Sequence, residues 1–258
     1  MKRQLSEAEI KRRQRKRKIR KRRFLAFLLI LLLIGAGTFY YFLKTKLFPI
    51  KKIAVSGSKI YTAEDIIKAG GITGKTPLMS FTENSLKTKL QKKLPYVETV
   101  KISRTFPDAV KITVSDAKEV FCFKENGKYY TASENLRVLT VKNELPENLI
   151  EVTAKDVTVK TGKNIEFAKQ EENELFDLLY SYTKEKSIPV TAIDISNIIH
   201  ITIFVADRFE VNLGSNENIT AKINHLSGMI KEIGERKGKI NLEMWSKSDS
   251  KGTFIEEK

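Results

Sequence analysis

Residues 94–114 read LPYVETVKISRTFPDAVKITV. Val100 and Ile102 alternate with polar neighbours, the run breaks at Phe106-Pro107-Asp108-Ala109, and Val110, Ile112 and Val114 alternate again. Alternation on both sides of a Pro- and Asp-bearing break predicts two strands joined by a reversal, each burying one face. Upstream, Leu86, Leu90 and Leu94 lie at helical spacing within Thr82–Leu94, a helix that Pro95 must end. Before it, TAEDIIKAGG (62–71) predicts another helix, with Thr62 as its N-cap, Asp65 near its positive end and Gly70-Gly71 as its stop. IKKIAVSGS (50–58) supplies a short strand through Ile53 and Val55 and a turn at Gly57. The order is therefore strand, helix, helix, strand, strand.

That order disposes of a tempting motif. In AGGITGKT (69–76), Ala69 stands where a phosphate-binding loop begins with Gly, and Gly74, Lys75 and Thr76 follow at the required spacing. Such a loop runs from a buried strand into a helix whose N-terminus holds the phosphate. Here a helix precedes the segment and Pro77 follows it, so the glycines read as turn residues between two helices.

Charge and hydropathy divide the 258 residues unevenly. Residues 1–23 hold 13 basic and two acidic side chains, a net of +11, and the rest of the chain carries only +5 of the total +16. The basic run abuts FLAFLLILLLIGAGTFYYFL (24–43), 20 residues without a charge. As a helix this spans about 30 Å, the hydrocarbon thickness of a bilayer. Phe39, Tyr40, Tyr41 and Phe42, followed by Lys44 and Lys46, suit the far membrane interface. With 13 basic residues before the span and five lysines in residues 44–66, the N-terminus is expected in the cytoplasm and everything beyond the span outside it. A competing reading makes Leu25–Ile34 the core of a cleaved signal peptide, with Gly35-Ala36-Gly37 at the cleavage site; the apolar run continuing into the aromatic belt favours the anchor. A basic tail can suit nucleic acid, but beside a membrane anionic lipid is sufficient, and no nucleic-acid partner is expected. Cys122 is the only cysteine, so an exported domain gains no intramolecular disulfide. Within VFCF it reads as a buried strand residue rather than a nucleophile.

Beyond residue 117, KEVFCFKENGKYYTA predicts two strands about an Asn126-Gly127 turn, and LRVLTV predicts a third. A helix is expected over about 164–186, marked by Phe167, Leu175, Leu178, Leu179 and Tyr182, then strands near VTAIDIS, HITIFVA and FEVNLG. In NENITAKINHLSGMIKEIGERK, Ile219, Ile223, Leu226, Ile230 and Ile233 make a core stripe too short for a coiled coil. It leads into KINLEMW, and the polar stretch after Trp245 is expected to be disordered.

A basic tail, one span, the segments FPIKKIAVSGSKIYTAEDIIKAGGITGKTPL and LKTKLQKKLPYVETVKISRTFPDAVKITVSD, and a β-rich region together resemble the FtsQ/DivIB family of bacterial division proteins. The likeness is strongest over Phe48–Asp116, which is similar to the family's POTRA domain. Where the family usually has Glu-Arg-x-Pro this chain has DAKEVFCF, which leaves the geometry of that junction open. Its Ile240-Asn241-Leu242-Glu243 also departs from the usual Ile-Asp-Leu-Arg. The expected class is α+β: a cytoplasmic basic tail (1–23), one transmembrane helix (24–43), an extracytoplasmic POTRA-like β-α-α-β-β domain (48–117), a mixed β-rich domain (118–245) and a flexible tail (246–258).

Little in the chain suggests chemistry. His200 and His225 are the only histidines, and neither H-E-x-x-H nor G-x-S-x-G occurs. Pairs such as Glu171 and Glu172 sit on the polar face of a helix, where solvation is their default role. No catalytic residue, metal or cofactor and no small-molecule substrate is expected. The resemblance implies a non-enzymatic scaffold at the division septum, binding membrane-anchored proteins of the DivIC/FtsB and FtsL type. The alternatives are an exported POTRA-bearing factor for protein export or assembly and, behind it, a cell-wall hydrolase. The resemblance also implies that the last strand and the helix before it receive the partner as an added strand. That places the partner surface on Ile240, Asn241, Leu242, Glu243, Met244 and Trp245. As a strand, KINLEMW would turn Ile240, Leu242 and Met244 to one face, and an equally simple reading makes that face core with Trp245 as its cap.

Overall fold

One unbroken helix, α1 (Glu7–Thr45), carries both the basic run and the apolar block. The computed structural model describes residues 7–45, 48–245 and 252–257, with side chains for 19–41, 48–245 and 252–257. Positions 1–6 of the basic tail, Lys46 and Leu47 of the linker, and residues 246–251 and 258 lie outside the described residues. Ile19–Tyr41 is long and apolar enough to cross a membrane, and none of it is buried against protein. Its exposed leucines and isoleucines suit a lipid environment.

The first module follows the expected order: β1 (Lys52–Ser56), α2 (Ala63–Gly70), α3 (Glu83–Gln91), β2 (Val97–Thr105) and β3 (Ala109–Asp116). Both helices start at capping boxes, Thr62 with Asp65 and Thr82 with Ser85. α2 ends at Gly71, whose φ of 64° is open to glycine at little cost. β3 lies between β1, to which it is parallel, and β2, to which it is antiparallel. Leu86, Leu90 and Ile112 are buried in one core with Ile66 and Val100, and Ile102 packs against it partly buried.

AGGITGKT is a turn, as its flanks implied. Thr76 Oγ1 accepts from Thr73 N (2.9 Å), Thr76 N donates to Thr73 O (2.9 Å), and Thr76 O accepts from Ile50 N (3.0 Å). The loop's polar groups are turned inward on itself and the start of β1, with Lys75 on a surface bend.

The second region is built on β4 (Phe121–Glu125), β5 (Lys128–Ala132), β6 (Val138–Lys142), β7 (Ile150–Thr153), β8 (Val157–Thr158), β9 (Glu166–Phe167), α4 (Gln170–Glu185), β10 (Val190–Asp194), β11 (Ile201–Val205), β12 (Phe209–Gly214), α5 (Ile219–Ile233), β13 (Gly238–Asn241) and β14 (Thr253–Glu256). Asn126 and Gly127 turn β4 into β5 with φ of 50° and 74°, the paired positive angles of a tight hairpin. Nine strands form one sheet in the order β14-β13-β12-β11-β10-β7-β4-β5-β6. Two of its parallel pairs, β7 with β10 and β12 with β13, require crossovers, and α4 and α5 supply them. Both helices pack their apolar stripes, including Leu175, Leu179, Ile223 and Leu226, into one core with the strands.

Two expectations need correction. The helix expected from about 164 begins at Gln170, because 157–158 and 166–167 pair as a β8–β9 ribbon. Ile165 N donating to Leu136 O (2.8 Å) and Ala168 N to Asp156 O (2.9 Å) hold that segment extended, so long-range bonds override local propensity. The stretch after Trp245, expected to be structureless, contains β14, which pairs antiparallel with β13.

Candidate functional site

The C-terminal corner of the nine-stranded sheet joins every residue on which a partner strand was expected. β13 enters at Gly238, whose N–H donates to Arg208 O (3.0 Å), and the ladder to β12 extends to Leu242, whose N–H donates to Asn212 O (2.8 Å). Ile240 and Leu242 are fully buried in the core beneath α5. Regular alternation ends there. Asn241 Oδ1 accepts from Glu243 N (2.9 Å), a side-chain-closed turn, and Trp245 N donates to Leu242 O (3.1 Å). Met244 therefore does not share the buried face of Ile240 and Leu242: it is 87% exposed, and Trp245 packs against the core instead. KINLEMW is a strand only through Asn241, because the Asx turn spends the backbone groups that a longer ladder would need.

Trp245 stands 6.0 Å, ring to ring, from His225 on α5, and its indole Nε1–H is shielded from solvent yet finds no acceptor among the described residues. Glu243 lies across β12: its Oε2 accepts from Asn212 Nδ2 (3.3 Å), and its Oε1 is 3.8 Å from His200 Nδ1. Both histidines thus neighbour the expected partner strand, in surroundings of one carboxylate or one indole. Among the described residues no group of three His, Cys, Asp or Glu side chains is placed to hold a metal. A buried cation supports the corner. Lys222 of α5 donates its Nζ to Leu213 O (2.6 Å) and Ser215 O (3.1 Å), and burial pulls its pKa below the ordinary lysine value.

β14 lies where an added strand was expected. Thr253–Glu256 runs antiparallel along β13, with Ile255 opposite Lys239 and Phe254 opposite Ile240. Phe254 faces the core edge-on to Phe209 (6.3 Å), with the Arg236 guanidinium over its other face (5.2 Å). Gly238 makes this possible: a Cβ there would lie 2.1 Å from Ile255 O. β13 is consequently an interior strand, and the outer edge belongs to β14, with Ile255 65% exposed. Sequence reading missed this contribution because a four-residue strand in a polar setting carries almost no periodic signal. The single hint was Phe254-Ile255.

Comparison with known proteins follows this architecture closely. Residues 48–116 match the family model described as POTRA domain, FtsQ-type. A cell division protein DivIB from Bacillus cytotoxicus is 26% identical over 220 residues, 84% of this chain and 80% of that protein. One from Brevibacillus brevis is 30% identical over 132 residues, covering 51% of this chain and 49% of the relative. A cell division protein FtsQ from Streptomyces griseus is 27% identical over 93 residues, 36% of this chain and 45% of that protein, so the chain spans under half the length of the last two.

Proposed function

Because the chain belongs to the FtsQ/DivIB family of cell-division proteins, we propose that it is a non-enzymatic scaffold of the septum. It links membrane-anchored partners of the DivIC/FtsB and FtsL type through domains held outside the cytoplasm by α1. The 13-to-five distribution of basic residues about the span supports a cytoplasmic N-terminus, and the basic tail suits anionic lipid there. The observation that supports the reading is the C-terminal sheet corner, with a strand edge, exposed Met244 and the indole N–H of Trp245, which has no acceptor among the described residues. An edge strand offers backbone donors and acceptors to a second chain, and alternate side chains supply specificity. A partner strand can take the place of β14 or extend its outer edge, and in both cases Trp245 and Met244 flank the junction.

The test is co-purification of the full chain with a small coiled-coil division partner from detergent-solubilised membranes. Trp245→Ala is expected to weaken capture by about tenfold or more, as truncating an aromatic anchor does. Asn241→Pro, which breaks the turn that positions Trp245, is expected to act in the same direction. Full-strength capture by both variants, each melting like the parent chain, would move the partner site elsewhere.

A further inference from the structure

Both crossover helices pack on the sheet face that carries Ile193, Ile203, Val211 and Ile240, and the strands β7, β10, β11, β12 and β13 with the loop before β7 line a groove of about 1040 Å³. One transverse row of paired residues crosses the opposite face: Glu151 of β7, Ala192 of β10, Phe204 of β11, Glu210 of β12 and Lys239 of β13. Phe204 is 40% exposed at the centre of the row, and Leu145, 53% exposed on the loop before β7, forms a wall beside it. A phenylalanine and a leucine facing water across one concavity leave apolar area that a ligand can cover.

The charges say what kind of ligand. The two basic side chains lining the groove are engaged: Lys239 pairs with Glu210 (2.7 Å), and Arg208 donates to Gly234 O (2.9 Å) and pairs with Glu235 (3.1 Å). Glu147, Glu151, Asp207 and Glu257 also line it, and none of them has a salt-bridge partner among the described residues. Beyond residue 23 the chain is net +5, yet the groove about exposed Phe204 is lined by five carboxylates against two cations, with Glu257 also feeling the charge of Lys239. We propose that this groove is a second docking surface, distinct from the C-terminal edge, for an extended peptide segment of a partner protein that alternates apolar and Lys or Arg residues. The apolar side chains cover Phe204 and Leu145, and the cations reach Glu147 and Glu151 on one side and Asp207 and Glu257 on the other. The inference stands on the groove alone and holds whether or not a partner strand binds beside β14.

The experiment places the full chain in nanodiscs of zwitterionic lipid, so that anionic headgroups do not compete. The probes are fluorescein-labelled heptapeptides alternating Lys with Leu or Phe, and a counterpart with Glu for Lys, followed by fluorescence anisotropy. The Lys peptide is expected to bind and to weaken as salt rises. The double change Glu147→Lys with Glu151→Lys should reduce its affinity by about tenfold or more, and Phe204→Ser should reduce it severalfold. Glu232→Lys, an exposed carboxylate on α5 across the sheet, should leave it unchanged. Glu147 lies in a loop, so Glu147→Lys alone tests the groove even if Phe204→Ser lowers the melting temperature. Loss of Glu-peptide binding on the same groove changes, a Lys-peptide affinity indifferent to them, or equal loss in Glu232→Lys would overturn the proposal. So would concentration-dependent self-association in place of peptide binding.

Discussion

At the residue scale, Cys122 shows how little its chemistry says about function. It is buried in β4, opposite Thr131 on β5 and Glu151 on β7. Burial first, then the charge of Glu151, pushes its thiol up to about 11 from 9.0. The thiolate is the nucleophile, so the native chain at pH 8 holds far less of it than the unfolded chain does. Iodoacetamide should label Cys122 at pH 8 only after denaturant is added, as read by intact mass; rapid native labelling would contradict the buried placement. The linkage has a defined sign. A raised folded pKa stabilises the fold fully below pH 9.0, and that contribution is lost as pH climbs from there towards about 11. Residue identity was enough to expect a buried strand cysteine, because the thiol lies inside the apolar run VFCF.

At the element scale, what was legible followed the range of the interactions. Strands β1 to β6, the hairpin at Asn126-Gly127, the Thr62 cap and the α5 stripe are local patterns, and each appears where its residues imply. Parallel pairing of β7 with β10 and of β12 with β13 depends on packing across the crossover helices, so the strand order was not legible. The candidate site divided in the same way. Burial of Ile240 and Leu242 follows from alternation, whereas the exposure of Met244 follows from one Asn241 side-chain bond. β14 is the element most dependent on a single residue. A Cβ at Gly238 would lie 2.1 Å from Ile255 O and 3.0 Å from Glu256 Cα, contacts that real Cβ atoms avoid unless backbone shifts. Gly238→Ala should therefore detach β14 while β13 keeps its ladder to β12. Hydrogen exchange followed by mass spectrometry should show faster exchange over 252–257 with protection over 209–214 retained; unchanged exchange over 252–257 would show that the close fit at Gly238 is not what admits β14.

At the scale of the whole molecule, two separate cores are joined through one polar seam. Arg137, 5% exposed at the start of β6, reaches out of the β-rich region into the first module. Its Nε donates to Pro95 O (2.9 Å), and one terminal nitrogen donates to Val97 O (2.8 Å) and to Glu98 Oε2 (2.6 Å). Asn135 Nδ2 donates to the other Glu98 oxygen (2.9 Å), and Tyr96 O–H donates to Glu119 (2.5 Å), which also pairs with Lys142 (2.8 Å). The segment DAKEV, whose departure from the family pattern left this junction open, thus supplies Glu119 as an acceptor between the two modules. Removing one partner of a buried charge pair leaves the other uncompensated, and here Pro95 O would also lose its donor while Val97 O keeps only Gln91 Nε2 (2.9 Å). Arg137→Met keeps much of the apolar stem and removes every one of those donors. It is expected to cost about 3 kcal/mol, less if water reaches the partly exposed Glu98. Trp245, the single tryptophan, reports only on the β-rich region, while far-ultraviolet circular dichroism reports on both. In the parent chain, urea transitions followed by the two signals should coincide, as coupled modules require. In Arg137→Met they should separate, with the two modules unfolding at different urea concentrations. Coincident transitions at an unshifted midpoint in the variant would show that the cores are coupled by something other than this seam.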